Sequence, residues 1–188
     1  MYVKDKEVFC IHIDKPIFSV YNVDTYIKND MTEITFSKVR HDEAHPEFEY
    51  NQIDDNIWIG TNKCCEIGFD KELIDQGVTA DISLEEERLD AAQGADYFLW
   101  LPTKDHTPPT QEKMRVGVGA LKSLVNEGVN VYVHCQNGHG RAPTLVAAYY
   151  VSQGMSVENA IQKIQDKRPT IHLDQNQIDA LDIFKNNL

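Results

Sequence analysis

Cysteine, basic charge and long apolar runs are all scarce in this chain, and each scarcity removes a class of protein. The four cysteines, Cys10, Cys64, Cys65 and Cys135, make no disulfide framework, and the adjacent pair is poorly arranged to bridge with itself. Lysine and arginine number 18 against 30 acidic side chains, a formal net charge of −12, which argues against a nucleic-acid partner or an anionic membrane surface. A local anion site remains compatible with that balance. No run approaches the length of a transmembrane helix, the first residues lack a signal peptide's apolar core, and Lys185–Leu188 offers no cysteine for prenylation. The expectation is a cytoplasmic protein with no membrane anchor and with its oligomeric state left open. Repeats and low-complexity tracts are missing too, while 41% hydrophobic content over 188 residues suffices for one domain with a full core.

What is present is an alternation of strand and helix patterns. Residues 1–50 carry short β-branched and aromatic runs (Val8–Ile13, Ile17–Tyr21, Glu33–Phe36) and read as a strand-rich N-terminal extension packing on a main domain of residues 51–188. A polar stretch from His41 to Asn51 leads to Ile57–Gly60, the expected first strand of that domain. Asp70–Gln76 reads as a short helix, and Gly77–Ile82 and Tyr97–Leu101 as buried strands. Thr110–Glu127 is an amphipathic helix, Val129–Val133 a strand and Thr144–Val151 an apolar helix. Ser156–Lys167 follows as a helix stopped by Arg168–Pro169, and Asp174 caps the last one. Such alternation predicts an α/β fold with a mostly parallel central sheet flanked by helices.

The densest chemistry lies between the strand ending at Val133 and the helix after it: His134–Cys135–Gln136–Asn137–Gly138–His139–Gly140–Arg141. A strand, a glycine-containing loop and a helix N-terminus in that order make an anion cradle of converging backbone N–H groups. The same field favours a thiolate, so Cys135 is expected to ionise below the free-cysteine value of about 8.5. Arg141 adds a planar fork that matches two phosphate oxygens. Gln136, Asn137, Gly138, His139 and Gly140 complete the expected substrate cradle, and His134 is expected to support it by a hydrogen bond that fixes the loop. The plainer alternative, a structural cysteine before a capped helix, leaves the arginine and the glycines idle.

His-Cys, five residues, then Arg is the signature of the cysteine-based protein tyrosine and dual-specificity phosphatases, which this chain resembles from Ile57 to Leu188. The resemblance implies a phosphatase-type fold of the dual-specificity kind and a phosphomonoester hydrolase acting through a phosphocysteine on Cys135. It implies no cofactor and no metal. In these enzymes an aspartate on a loop about thirty positions upstream protonates the leaving oxygen and later activates water, and Asp105 is the matching position. His106 is a weaker rival for that role. The loop ends Arg141–Ala142–Pro143, similar to the phosphatases of regenerating liver, whereas most of the family has Ser or Thr after the arginine to stabilise the departing thiolate. Loss of that hydrogen bond would slow phosphoenzyme breakdown by roughly tenfold or more. Thr144 is expected to face elsewhere.

A phosphoprotein substrate is expected: phosphotyrosine first, with phosphoserine and phosphothreonine beside it. The alternatives are a slow-turnover protein that binds or senses a phosphorylated partner, and a phosphatase for phosphoinositide or RNA 5′-phosphate. The loop carries no lysine for a dense anion. Three further readings are local. His41 and His45 have zinc-like spacing broken by Pro46. Asp174 and Gln177 form a capping box, with Gln177 as the competing water-orienting group. Cys65 would protect Cys135 by a reversible disulfide.

Overall fold

The computed structural model describes residues 48–188. The expected strands between Val8 and Phe36 and the His41/His45 pair lie outside the described residues. β-branched and aromatic residues build Ile57–Gly60 (β2), Val78–Glu85 (β3), Tyr97–Thr103 (β4) and Asn130–His134 (β5). With Tyr50–Gln52 (β1) they form a five-stranded sheet of order β1-β2-β5-β3-β4, parallel except for β1. Among the described residues an edge strand, Tyr50–Gln52, therefore precedes the expected first strand Ile57–Gly60. A three-residue edge strand reading Tyr-Asn-Gln carries no apolar run to reveal it, and its pairing with Gly60, Ile59 and Trp58 is made by backbone alone.

Five helices follow in sequence: Lys71–Asp75 (α1), Gln111–Asn126 (α2), Arg141–Val151 (α3), Val157–Gln165 (α4) and Gln175–Asn186 (α5). Asp70, Thr110 and Ser156 each accept a backbone N–H of the first turn, and Asp174 with Gln177 forms the expected capping box. Helix α3 starts at Arg141, three residues before the apolar run at Thr144. Its N-cap is Gly140, whose missing side chain caps nothing and so leaves no mark in the sequence.

Strand alternation sorts side chains onto two faces. Ile57, Ile59, Ala80, Ile82, Leu84, Val131 and Val133 face the main core, where α3 is buried along its whole length against α2, α4 and α5. Truncating a core leucine such as Leu145 to Ala would cost about 2–5 kcal/mol. Trp58 and Tyr132 face the other way and pack with Phe69, Leu73 and Val78 beside α1. On that second face β3 presents Asp81, Ser83 and Glu85, all buried, next to His134 of β5. The parallel strands all point one way, so the loops after β2, β3, β4 and β5 gather along one edge of the sheet.

Candidate active site

Cys135 leaves the end of β5 and lies at a cavity of about 310 Å³ lined by Asp105, His106, the 135–141 loop, His172, Asp174 and Gln177. The loop's backbone is fixed from outside, carbonyl by carbonyl. Asn62 N–H donates to Gln136 O (3.1 Å), and His172 N–H to His139 O (3.0 Å). Arg168 donates Nη2 to Asn137 O (3.1 Å) and Nε to Gly138 O (3.2 Å). Thr144 donates both its N–H (2.9 Å) and its Oγ1 (2.8 Å) to Gly140 O. Five consecutive carbonyls are thus drawn outward, which leaves the loop's N–H groups for the concave side, the arrangement of an anion nest. Gly138 is required here: its φ is +67°, and a Cβ would stand 2.5 Å from the Gly60 carbonyl oxygen. The uncapped N-terminus of α3 adds its positive end to the same spot.

Arg141 is buried and held on one edge. Its Nη1 donates to Glu87 Oε2 (2.8 Å) and to the Thr103 carbonyl (2.8 Å), while Nη2 lies 3.2 Å from Asp105 Oδ1. Its buried Nε has no hydrogen-bond partner. A guanidinium fixed through Nη1 with Nε unspent is poised to take a second anion through two of its oxygens. Burial opposes its charge, but the neighbouring Cys135, Glu87 and Asp105 outweigh that and raise its pKa further.

The loop after β4 brings Asp105 to this guanidinium, and contacts to α5 hold the loop down. His106, at φ +57°, directs Nδ1 to Asp174 Oδ2 (3.1 Å) and Nε2 to within 3.7 Å of Asp105 Oδ2. Asn176 Nδ2 donates to the His106 carbonyl (2.9 Å) and Gln177 Nε2 to that of Thr107 (3.2 Å). His106 is therefore occupied as a latch. Gln177 forms the expected capping box, its Oε1 accepting Asp174 N–H, and its side chain also lines the cavity.

His139 lines the cavity, its ring centroid 5.0 Å from that of His172, and Asn137 is the most exposed member of the loop. His134 is fully buried, and its imidazole makes no hydrogen bond to the loop. Nε2 lies 3.3 Å from Asp81 Oδ1 and 3.5 Å from Asp90 Oδ2, and Nδ1 has no hydrogen-bond partner. Burial disfavours its charge, yet the Asp81 carboxylate raises its pKa well above the ordinary value. Cys65 Sγ also belongs to this group, donating to Asp81 Oδ2 at 3.2 Å. Ala142 is buried in the main core, and Thr144 Oγ1 is spent on Gly140.

Sequence reasoning missed Arg168, Glu87, Thr103 and His172. Arg168 reads only as a helix stop before Pro169, Glu87 only as one of three consecutive glutamates, and the other two act through backbone groups, which leave no residue-type signal.

Residues 57–187 match the family model described as the dual specificity phosphatase catalytic domain. Over 106 residues the chain is 36% identical to protein tyrosine phosphatase type IVA 2 of Mus musculus, covering 53% of this chain and 63% of that protein. Over 88 residues it is 38% identical to the Homo sapiens phosphatidylglycerophosphatase and protein-tyrosine phosphatase 1, covering 46% and 44%. The chain thus spans less than two thirds of these curated relatives. Two solved structures share the fold. PTPMT1 in complex with PI(5)P has a TM-score of 0.61 at 24% identity, covering 73% of this chain and 95% of that one. Human DUSP28 has a TM-score of 0.66 at 18% identity, covering 73% and 96%.

Proposed function

The chain belongs to the dual specificity phosphatase family, and from that premise we propose that it hydrolyses phosphomonoesters through a phosphocysteine on Cys135. The observation that carries this reading is the loop itself. Five carbonyls are pinned outward around Cys135, and beside it a fixed Arg141 has its Nε unspent. A phosphate dianion seated there takes the loop N–H groups and the guanidinium edge. The thiolate sulfur of Cys135 attacks phosphorus, the bond to the leaving oxygen breaks, and the Asp105 carboxylic acid delivers its proton to that oxygen. Water then attacks the phosphocysteine, Asp105 as carboxylate takes the water proton, and the thiolate leaves with Ala142 where a hydroxyl would assist. Gln177, whose amide is held at the cavity wall between Asp174 N–H and the Thr107 carbonyl, is the neutral side chain to which we assign orientation of that water.

The substrate we assign is a protein phosphate monoester, phosphotyrosine first, with phosphoserine and phosphothreonine accepted. Around the cradle the cavity is lined by His106, His139 and His172 with Asp105 and Asp174, and by no lysine. One dianion is matched by Arg141; a second phosphate would meet carboxylates. The name of one relative, phosphatidylglycerophosphatase and protein-tyrosine phosphatase 1, pulls towards a lipid phosphate as well, so the deciding experiment is a panel. Phosphopeptides, phosphoinositides, phosphatidylglycerophosphate and 5′-phosphorylated RNA are compared for the parent and for Cys135→Ser. Fastest release from phosphotyrosine peptides, abolished in Cys135→Ser, supports the assignment. Preference for a lipid headgroup moves the substrate class and leaves the chemistry in place.

A further inference from the structure

We propose that the protein carries a second, structural site on the opposite face of the sheet from the main core: a zinc ion held by Cys64, Cys65, Asp81 and His134. The 3₁₀ turn Asn62–Cys65 after β2 sets both cysteines against β3 and β5, and alternation on those strands turns Asp81 and His134 to meet them. All four are buried, and one donor atom from each lies within 4.8 Å of every other. Nε2 of His134 is 3.3 Å from Asp81 Oδ1 and 3.9 Å from Cys65 Sγ, and Cys65 Sγ is 3.2 Å from Asp81 Oδ2. Zinc bonds of about 2.0–2.2 Å to nitrogen or oxygen and 2.3 Å to sulfur give tetrahedral edges of roughly 3.3–3.8 Å. The His134–Asp81 separation falls on those edges and the His134–Cys65 separation just above them, while the Cys65 contact is to the other oxygen of the Asp81 carboxylate.

A second observation points independently to a missing group. Of the six buried side-chain polar atoms without a hydrogen-bond partner among the described residues, four cluster here, Asp81 Oδ1, Ser83 Oγ, Asp90 Oδ2 and His134 Nδ1, and Asp81 Oδ1 is the one the ion itself would take. A fifth is Arg141 Nε, in the phosphate cradle. Unpaired buried polar atoms cost free energy, and natural interiors keep few of them. Asp81 Oδ1 faces His134 Nε2 at hydrogen-bond range without the geometry of a hydrogen bond, as two ligands of one ion would.

Two thiolates, an imidazole and a carboxylate suit zinc better than magnesium or calcium, which prefer oxygen. Binding one Zn²⁺ expels the two thiol protons and the proton on His134 Nε2. The resulting net charge of about −1 sits beside Arg88, whose Nη2 is 2.7 Å from Asp90 Oδ1. Four protein ligands leave no open position, so the ion takes no part in the reaction. Its effect is mechanical: it ties the end of β5, one residue before Cys135, to β3 and to the turn after β2.

The test uses the full chain with Cys10→Ser and Cys135→Ser, which leaves Cys64 and Cys65 as its only thiols. Titration with cobalt(II) is expected to saturate at one ion per chain, with tetrahedral visible bands and thiolate-to-cobalt charge transfer, all erased by zinc. Adding Cys65→Ser removes most of the charge transfer. Should that variant not fold, metal analysis of the unmutated chain after exhaustive dialysis stands in for it, with one tightly held zinc expected. An octahedral spectrum without charge transfer overturns the proposal. So does a dialysed, folded chain free of zinc that takes none up, or a mass two hydrogens short that maps to a Cys64–Cys65 disulfide.

Discussion

Arg141 Nη2 lies 3.2 Å from Asp105 Oδ1, so the side chain that grips the phosphate also holds the one that protonates the leaving group. Glu87 and the Thr103 carbonyl fix the other terminal nitrogen, so Asp105 is referenced to a rigid guanidinium as well as to its own turn.

Asp105→Asn removes both the proton and the later base. With phenyl and alkyl phosphates kcat is expected to fall by about 10²–10⁴. With an activated aryl phosphate, whose leaving group needs no proton, the first step falls far less. Single-turnover rates against leaving-group pKa measure this: the variant shows a steep dependence and the parent a shallow one. Equal slopes would place the acid elsewhere.

Arg168 is buried, 3.2 Å from Glu49 Oε1 and 2.7 Å from Asn51 Oδ1, and its remaining donors hold the Asn137 and Gly138 carbonyls. Arg168→Ala leaves those carbonyls unpaired at about 1–3 kcal/mol each. Arg168→Lys keeps the charge but offers a single point where three directions are needed. Both variants are expected to lower Tm and to weaken tungstate binding, with lysine intermediate. Unchanged tungstate affinity in the alanine variant would separate the loop from this clamp.

His139 has a pKa below its ordinary value, through burial first and then the charges of Arg168 and His172. The unfolded chain takes up this proton near pH 6.5, before the folded one does, so this contribution to stability is present above that pH. It is lost as pH falls through the folded-state pKa. A dianion in the cradle favours the imidazolium and should raise the value. NMR titration of the His139 ring, free and with tungstate, checks both signs; a midpoint that tungstate leaves in place would put the imidazole outside the anion's field.

Ala142 sits in the second position of α3, inside the core, where the family usually has a hydroxyl. Ala142→Ser is expected to speed phosphoenzyme breakdown roughly tenfold, the worth of one charge-assisted hydrogen bond. Rapid-quench decay of the trapped intermediate measures it, and an unchanged decay rate would remove the explanation for that position.

The alternation of strands and helices was legible because β2, β4 and β5 are apolar runs, β3 alternates apolar with polar residues, and each helix except α3 has a side-chain cap. The start of α3 was hidden by Gly140, and β1 by its polar edge residues. Cys135 and Arg141 were legible from the strand–loop–helix motif and Asp105 from the family resemblance, and the structure brings all three to one cavity. Arg168 and Glu87 were not, because a residue that acts by holding a carbonyl or a guanidinium looks like any surface charge until the chain is folded. The Asp81–His134 group escaped for the opposite reason: taking Gly77–Ile82 as a buried strand passes over the polar residues on its second face.

The central claim is a phosphate held covalently by Cys135. Rapid mixing with an aryl phosphate, acid quenching and peptide mass analysis test it directly. The account predicts a burst of phenol equal to the enzyme present, with phosphate on the peptide containing Cys135 and neither burst nor adduct in Cys135→Ser. Hydrolysis that persists in Cys135→Ser, or phosphate recovered on another residue, would contradict it.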